Sequence, residues 1–202
     1  MELQAERERA RTRAVARGFA PARTIVLVGL MGAGKTKIGR RLSARLNLPF
    51  FDSDLEIEEA AGETIDEIFR NRGEAAFRDG ERRVIARLLC QPTHVLATGG
   101  GAFMDPATRA VIRATGVSVW LRADLDVLLA RVARRTNRPL LSGRDQRAVM
   151  SDLIQRRHPI YAEADLTIDS SEGPPEATVT RVIAALADCP RALTPPEPGA
   201  AE

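Results

Sequence analysis

Gly29-Leu30-Met31-Gly32-Ala33-Gly34-Lys35-Thr36 is the stretch on which the reading of this chain turns. It matches G-x-x-x-x-G-K-[ST], the loop with which ATP- and GTP-using proteins hold phosphates. The flanks agree with that reading. Thr24-Ile25-Val26-Leu27-Val28 is a short, β-branched apolar run that reads as a buried strand. Ile38, Leu42 and Leu46 recur behind it at helical spacing. Gly29, Gly32 and Gly34 permit left-handed backbone, so successive N–H groups can line an anion nest at a helix start. Lys35 and Lys37 are the only lysines among thirty basic residues; the others are arginine. A chain that writes arginine almost everywhere keeps lysine where a compact, mobile ammonium is wanted, here beside a phosphate in transfer. Thr36 offers a hydroxyl to Mg²⁺.

The bulk composition narrows the field. A length of 202 residues with 44% hydrophobic content suits one globular domain with a proper core. The formal net charge is +3, carried by arginines scattered along helix faces. Aromatics make up only 4%, too few to furnish base-stacking platforms, so no nucleic-acid partner is expected. Two separated cysteines, Cys90 and Cys189, suggest a reducing compartment, and a cytoplasmic location is expected. With two histidines besides, a structural zinc site is not expected. No apolar run approaches a membrane span, and residues 1–23 have neither a secretory core nor the acid-poor, Ser-rich character of a transit peptide.

Strand-like and helix-like segments alternate between two tails. Residues 1–23 read as an extension, frayed or disordered, and 190–202, rich in Pro and Ala, as a disordered tail. Between them, 24–189 read as a single domain. Strands are expected at 24–28, 49–51, 94–97, 117–121 and 166–168, with helices at 35–46, 54–61, 64–71, 74–89, 106–113, 148–162 and 175–186, and one capped by Asp124 that carries Leu125, Leu128, Leu129 and Val132. Such alternation implies a parallel five-stranded sheet in a three-layer α/β/α fold, with ligands beyond the carboxyl ends of the strands. The polar stretch at about 135–147 reads as a mobile lid.

A second group of residues follows the same strand ends. No acid ends the third strand, but Phe51-Asp52-Ser53-Asp54 supplies two after the second. One of them is expected to support the metal, and the other is then free to face an acceptor. Arg78 and Glu81, three apart on a helix, can orient one another. Thr98-Gly99-Gly100-Gly101 exposes backbone N–H groups at a strand end. Arg138-Pro139 puts an arginine in the lid, held extended by the proline.

Taken in order, GLMGAGKT, FFDSD, Gly73-Glu74 followed by FRDGE, TGGG, RPLL and Arg157 four residues before Tyr161 resemble the shikimate kinase family, over about 24–169. The resemblance implies the P-loop NTPase fold and phosphoryl transfer from MgATP to the 3-hydroxyl of shikimate, in aromatic amino-acid biosynthesis. It implies that Gly32, Ala33, Gly34, Lys35, Thr36 and Lys37 wrap the ATP phosphates. Thr36 would hold Mg²⁺ with Asp52 in support. Asp54 would polarise the attacking hydroxyl, Arg78 and Arg157 would grip the substrate carboxylate, and Gly99, Gly100 and Gly101 would meet the acceptor. Arg138 would descend on the phosphates, with Arg134 or Arg135 on adenine. Lys37 departs from the family, which has a small or hydroxyl residue there. Small-molecule partners only and a monomer are expected. The rivals are another P-loop small-molecule kinase, such as a gluconate kinase, and a nucleotide-hydrolysing regulatory ATPase.

Overall fold

The computed structural model describes residues 19–133, 145–170 and 173–197. Five strands, β1 (Thr24–Val28), β2 (Phe50–Asp52), β3 (Val95–Ala97), β4 (Gly116–Arg122) and β5 (Leu166–Asp169), form one sheet in the order β2-β3-β1-β4-β5. Every pairing is parallel, so all strands send their carboxyl ends to one edge. Ile25, Val26, Leu27, Val95, Leu96, Val117, Val119 and Leu121 have no exposed surface, which is why β1, β3 and β4 read as continuous apolar runs rather than alternating ones.

Helices α1 (Lys35–Leu46), α2 (Ser53–Ala61), α3 (Ile65–Leu89), α4 (Pro106–Thr115), α5 (Leu125–Ala133), α6 (Gln146–Tyr161), α7 (Pro175–Ala187) and the short α8 (Pro190–Leu193) flank the sheet. Their starts are written in the sequence. Asp52 caps α2 by accepting from Asp54 N–H. Thr64 and Glu67 form a reciprocal capping box at α3. Asp105 caps α4, with Pro106 in its first turn, and Asp145 caps α6. The two helices expected at 64–71 and 74–89 follow one another across Gly73, whose backbone (φ 79°, ψ 171°) is not helical. The next helix begins at Gln146, so the lid's expected far end, 145–147, is instead the cap and first turn of α6. The remainder of the lid, 134–144, lies outside the described residues, as does Arg138 with it.

Both expected tails need correction where they are described. Arg23 and Pro21 are buried rather than part of a frayed extension. Residues 190–197, expected to be disordered, begin with α8, whose Ala192 is completely buried. The Arg23 guanidinium donates to Thr194 O (2.7 Å), Ala114 O (2.7 Å) and Pro195 O (3.0 Å), and Ala22 N–H donates to Ala192 O at 2.8 Å. Prolines made this segment look unable to pack. What holds it is a charged donor taking up its backbone carbonyls, a contact between residues more than 170 positions apart. Arg23→Ala should therefore lower the unfolding free energy by about 2–3 kcal/mol, the scale of charge-assisted bonds lost from a buried group. Arg70→Ala, on an exposed face of α3, should change it by less than about 0.5 kcal/mol. Urea denaturation of the two variants checks this.

Candidate active site

The glycine loop leaves β1 and turns into α1. Gly29, Gly32 and Gly34 all have positive φ (137°, 82° and 97°), which side-chain-bearing residues rarely adopt. Gly29 is also bound by space: a Cβ there would lie 2.7 Å from Leu121 O on β4. Gly34 precedes α1 in left-handed conformation and supplies no side-chain cap, so no side chain of its own competes for the first-turn N–H groups. Lys35 Nζ donates to Gly29 O (2.7 Å) and Leu30 O (3.0 Å), which holds the ammonium at the mouth of the loop. Ala33 is buried, and Lys37 is exposed and borders the cleft described below.

Beside the loop, the end of β2 brings up the two aspartates. Thr36 Oγ1 donates to Asp52 Oδ2 at 2.8 Å. A hydroxyl and a carboxylate in contact at the end of a phosphate loop are hard oxygen donors. They suit Mg²⁺, which takes one or two protein oxygens and completes its shell with water and phosphate. Among the described residues no three His, Cys, Asp or Glu side chains cluster into a protein-only metal cage. Asp52 is thus both metal candidate and helix cap, and Asp54 is left for another task.

Asp54 points toward the glycine run after β3. A Cβ at position 99 would lie 2.7 Å from Asp54 Oδ1 and 2.8 Å from Glu81 Oε1, so only glycine lets both carboxylates approach this backbone. Gly99 N–H donates to Ser53 Oγ at 3.0 Å, tying the run to the start of α2. At the next two glycines the arginines arrive. Arg157 Nη1 donates to Gly100 O at 2.9 Å. A Cβ at 101 would lie 2.5 Å from Arg78 Nη1. Arg78 is held in turn by Glu81 Oε2 (2.7 Å) and Glu74 Oε1 (3.2 Å) and lies over the Phe77 ring. Asp54, Arg78, Arg157 and Gly99–Gly101, scattered over more than 100 positions, therefore meet around one stretch of backbone.

The electrostatics follow from this crowding. Burial, and then the neighbouring Asp52 carboxylate, push Asp54 up to about 6, with Lys35 pulling the other way. Burial also raises Glu81, against the opposing pull of Arg78. Glu81 is only 3% exposed, and its Oε1 has no hydrogen-bond partner among the described residues. For Arg78, burial works against the cation, but Glu81 and Glu74 outweigh it and hold the guanidinium above its ordinary value.

A cleft of about 700 Å³ runs along the phosphate loop and reaches Asp54 and Gly100. Its lining includes Lys35, Thr36, Asp52, Asp54, Gly100 and, on the far wall, Arg131 and Ser170. The last two were not anticipated from sequence. Arg131 on α5 donates to Gly32 O (3.3 Å), Ala33 O (3.4 Å) and Ser170 Oγ (3.0 Å), and Ser170 Oγ donates to Ala33 O at 2.8 Å. Arg134 and Arg135, the arginines expected at the adenine, lie outside the described residues, and Arg131 is the one that reaches this wall. Its signal was weak, since it sits in an apolar helix among many other arginines.

Comparison with known proteins agrees with this geometry. Residues 31–187 match the family model described as shikimate kinase. A shikimate kinase of Paramagnetospirillum magneticum is 60% identical over 164 residues, covering 81% of this chain and 84% of the relative. One from Caulobacter vibrioides is 55% identical over 165 residues, covering 82% of each. Among solved structures, shikimate kinase from Acinetobacter baumannii in complex with shikimate superposes with a TM-score of 0.79 at 36% identity, covering 88% of this chain and 97% of that one. Motif order, strand-end geometry and these likenesses lead to one conclusion: the chain belongs to the shikimate kinase family.

Proposed function

We propose that this chain transfers the γ-phosphoryl group of ATP to the 3-hydroxyl of shikimate, with Asp54 at the junction of the two substrates. The observation that carries this reading is the position of Asp54. It stands between the Thr36–Asp52 pair at the phosphate loop and the Arg78, Gly99–Gly101 and Arg157 group. A hydroxy acid whose carboxylate meets the two guanidiniums would bring a hydroxyl to Asp54, at the mouth of the loop.

Each group then has a task. The N–H groups of 32–37 receive the phosphates, and Lys35 exchanges its two carbonyl partners for phosphate oxygens. Arg131 walls the nucleotide side. Arg138, which lies outside the described residues, is assigned to the transferring phosphate. Thr36 and Asp52 would hold Mg²⁺, which supplies charge neutralisation for the phosphate oxygens when bound. Arg78 and Arg157 present planar forks suited to bidentate pairing with a carboxylate. Asp54 accepts the hydroxyl's hydrogen bond and aims its oxygen along the line of transfer. Phosphoryl transfer needs little more of the protein than positioning and charge compensation. Among the described residues no helix is long and apolar enough to cross a membrane. A cytoplasmic monomer acting on small molecules is the setting this reading assumes.

The carboxylate clamp is testable by separating the two substrates. Arg78→Ala or Arg157→Ala should weaken shikimate binding by about 2–5 kcal/mol, as when one partner of a desolvated charge pair is truncated. ATP affinity measured alone should stay nearly constant. Calorimetric titration with each ligand decides it, and loss of ATP affinity with intact shikimate binding would remove the clamp.

Asp54 should also cost the metal-free protein stability. Its pKa is raised in the folded state, so below the unfolded value near 4 the group is protonated in both states and contributes nothing. As pH rises through about 6 the folded chain must ionise a carboxyl that the unfolded chain ionises more easily, and the penalty becomes complete above that pH. Asp54→Asn should accordingly raise the unfolding free energy of the metal-free protein at pH 8, by an amount on the order of 2 kcal/mol, and leave it unchanged at about pH 3. Thermal unfolding at the two pH values, in the presence of a chelator, reads this directly.

A further inference from the structure

Tyr161 ends α6 with its ring fully buried and its hydroxyl donating to Gly100 O. The same carbonyl receives Arg157 Nη1, so the hydroxyl and the guanidinium converge on one oxygen. Arg157 and the Gly100 backbone are the groups assigned above to the acceptor.

We propose that Tyr161 is a positioning residue for the acceptor site, its hydroxyl setting both the Gly100–Gly101 peptide plane and the Arg157 guanidinium. This rests on the shikimate kinase reading and adds a residue to its machinery. The geometry supports it in three ways. First, a peptide unit is planar, with C=O and N–H pointing oppositely. Fixing Gly100 O on the Tyr161 side therefore turns the Gly101 N–H to the other side. A glycine run has little intrinsic preference to hold that plane by itself. Second, Arg157 and Tyr161 are four apart on one helix, so the hydroxyl can restrain a long side chain that would otherwise sample many rotamers. Third, the ring itself is clamped. Phe103 and Trp120 stack on it at centroid distances of 6.3 and 5.9 Å, and His158 meets it edge-on at 6.5 Å. Burial pushes the phenol up to about 12, so it stays a protonated donor throughout the working range of such an enzyme.

A hydroxyl that merely satisfies itself on a nearby carbonyl would behave differently, and Tyr161→Phe separates the two cases because it keeps the clamped ring. The shikimate KM should rise about 3–10-fold, the scale of one neutral hydrogen bond, while the ATP KM stays within about twofold. In combination with Arg157→Ala, the joint loss should fall short of the product of the single losses, since the two residues act on shared groups. Unchanged KM values, an equal rise in both, or losses that simply multiply would each overturn the positioning role. A second reading does not depend on the variant's folding. Tyr161 is the only tyrosine in the chain, so biosynthetic replacement with 3-fluorotyrosine labels it alone. Its ¹⁹F resonance should move on addition of shikimate, and a resonance that does not move counts against the proposal. If the unmodified enzyme turns over shikimate normally while these tests fail, the positioning role falls and the function stands. An unmodified enzyme that leaves shikimate unphosphorylated sinks both.

Discussion

The parallel register of three neighbouring strands is the constraint on which the site depends. Leu27 of β1 pairs with Ala97 of β3, and Ala97 pairs with Asp52 of β2. The chain therefore leaves all three strands at one level, and the phosphate loop, the aspartate pair and the glycine run open side by side. Thr98 reinforces that level: both its N–H and its hydroxyl donate to Leu27 O. Slipping one strand by a residue would turn Asp52 away from Thr36 and reverse every buried side chain on that strand. Both faces of β1 and β3 are packed, so a slip would force side chains of different shape into filled layers, and this is how a hydrophobic sheet fixes polar chemistry at its edge.

On that edge the glycines serve two different purposes. Those of the loop are there for their dihedral angles, which expose N–H groups to an anion. Gly99 and Gly101, after β3, do not have positive φ and are there for space. Asp54, Glu81 and Arg78 approach closer than a Cβ would permit. The carboxylates so gathered repel one another and lose water. That cost appears as the raised Asp54 and Glu81, and it is offset by Lys35 and Arg78. Perturbed carboxyls gathered in a cleft mark a functional site, and the rest of the fold supplies the stability that this crowding consumes.

Much of this was legible in the sequence because it is local. The loop glycines, Lys35 and the capping signals, that of Asp52 on the helix it precedes included, act on residues a few positions away. The alternation of apolar strands and amphipathic helices gave the parallel sheet. Arg78 and Arg157 could be singled out among many arginines only by their family motifs; composition alone would have left them on the surface. What escaped notice is long-range. Ser170 and Arg131 reach the phosphate loop from 137 and 98 or 99 positions away. The Arg23 clasp on 190–197 was hidden by a proline-rich composition that ordinarily signals disorder. Tyr161 entered the sequence reading only as a motif position, because nothing local reveals where its hydroxyl points.

The function proposed here stands or falls with Asp54 aligning the hydroxyl of a carboxylate-bearing acceptor with the phosphate loop. The most direct measurement is the initial rate of ADP release with ATP and Mg²⁺ against shikimate, gluconate and no acceptor, with ³¹P and ¹H NMR of the product. Release should depend on shikimate, with phosphorus in the product coupled to the proton at carbon 3. Release that is faster with gluconate, or equally fast without any acceptor, would contradict that function.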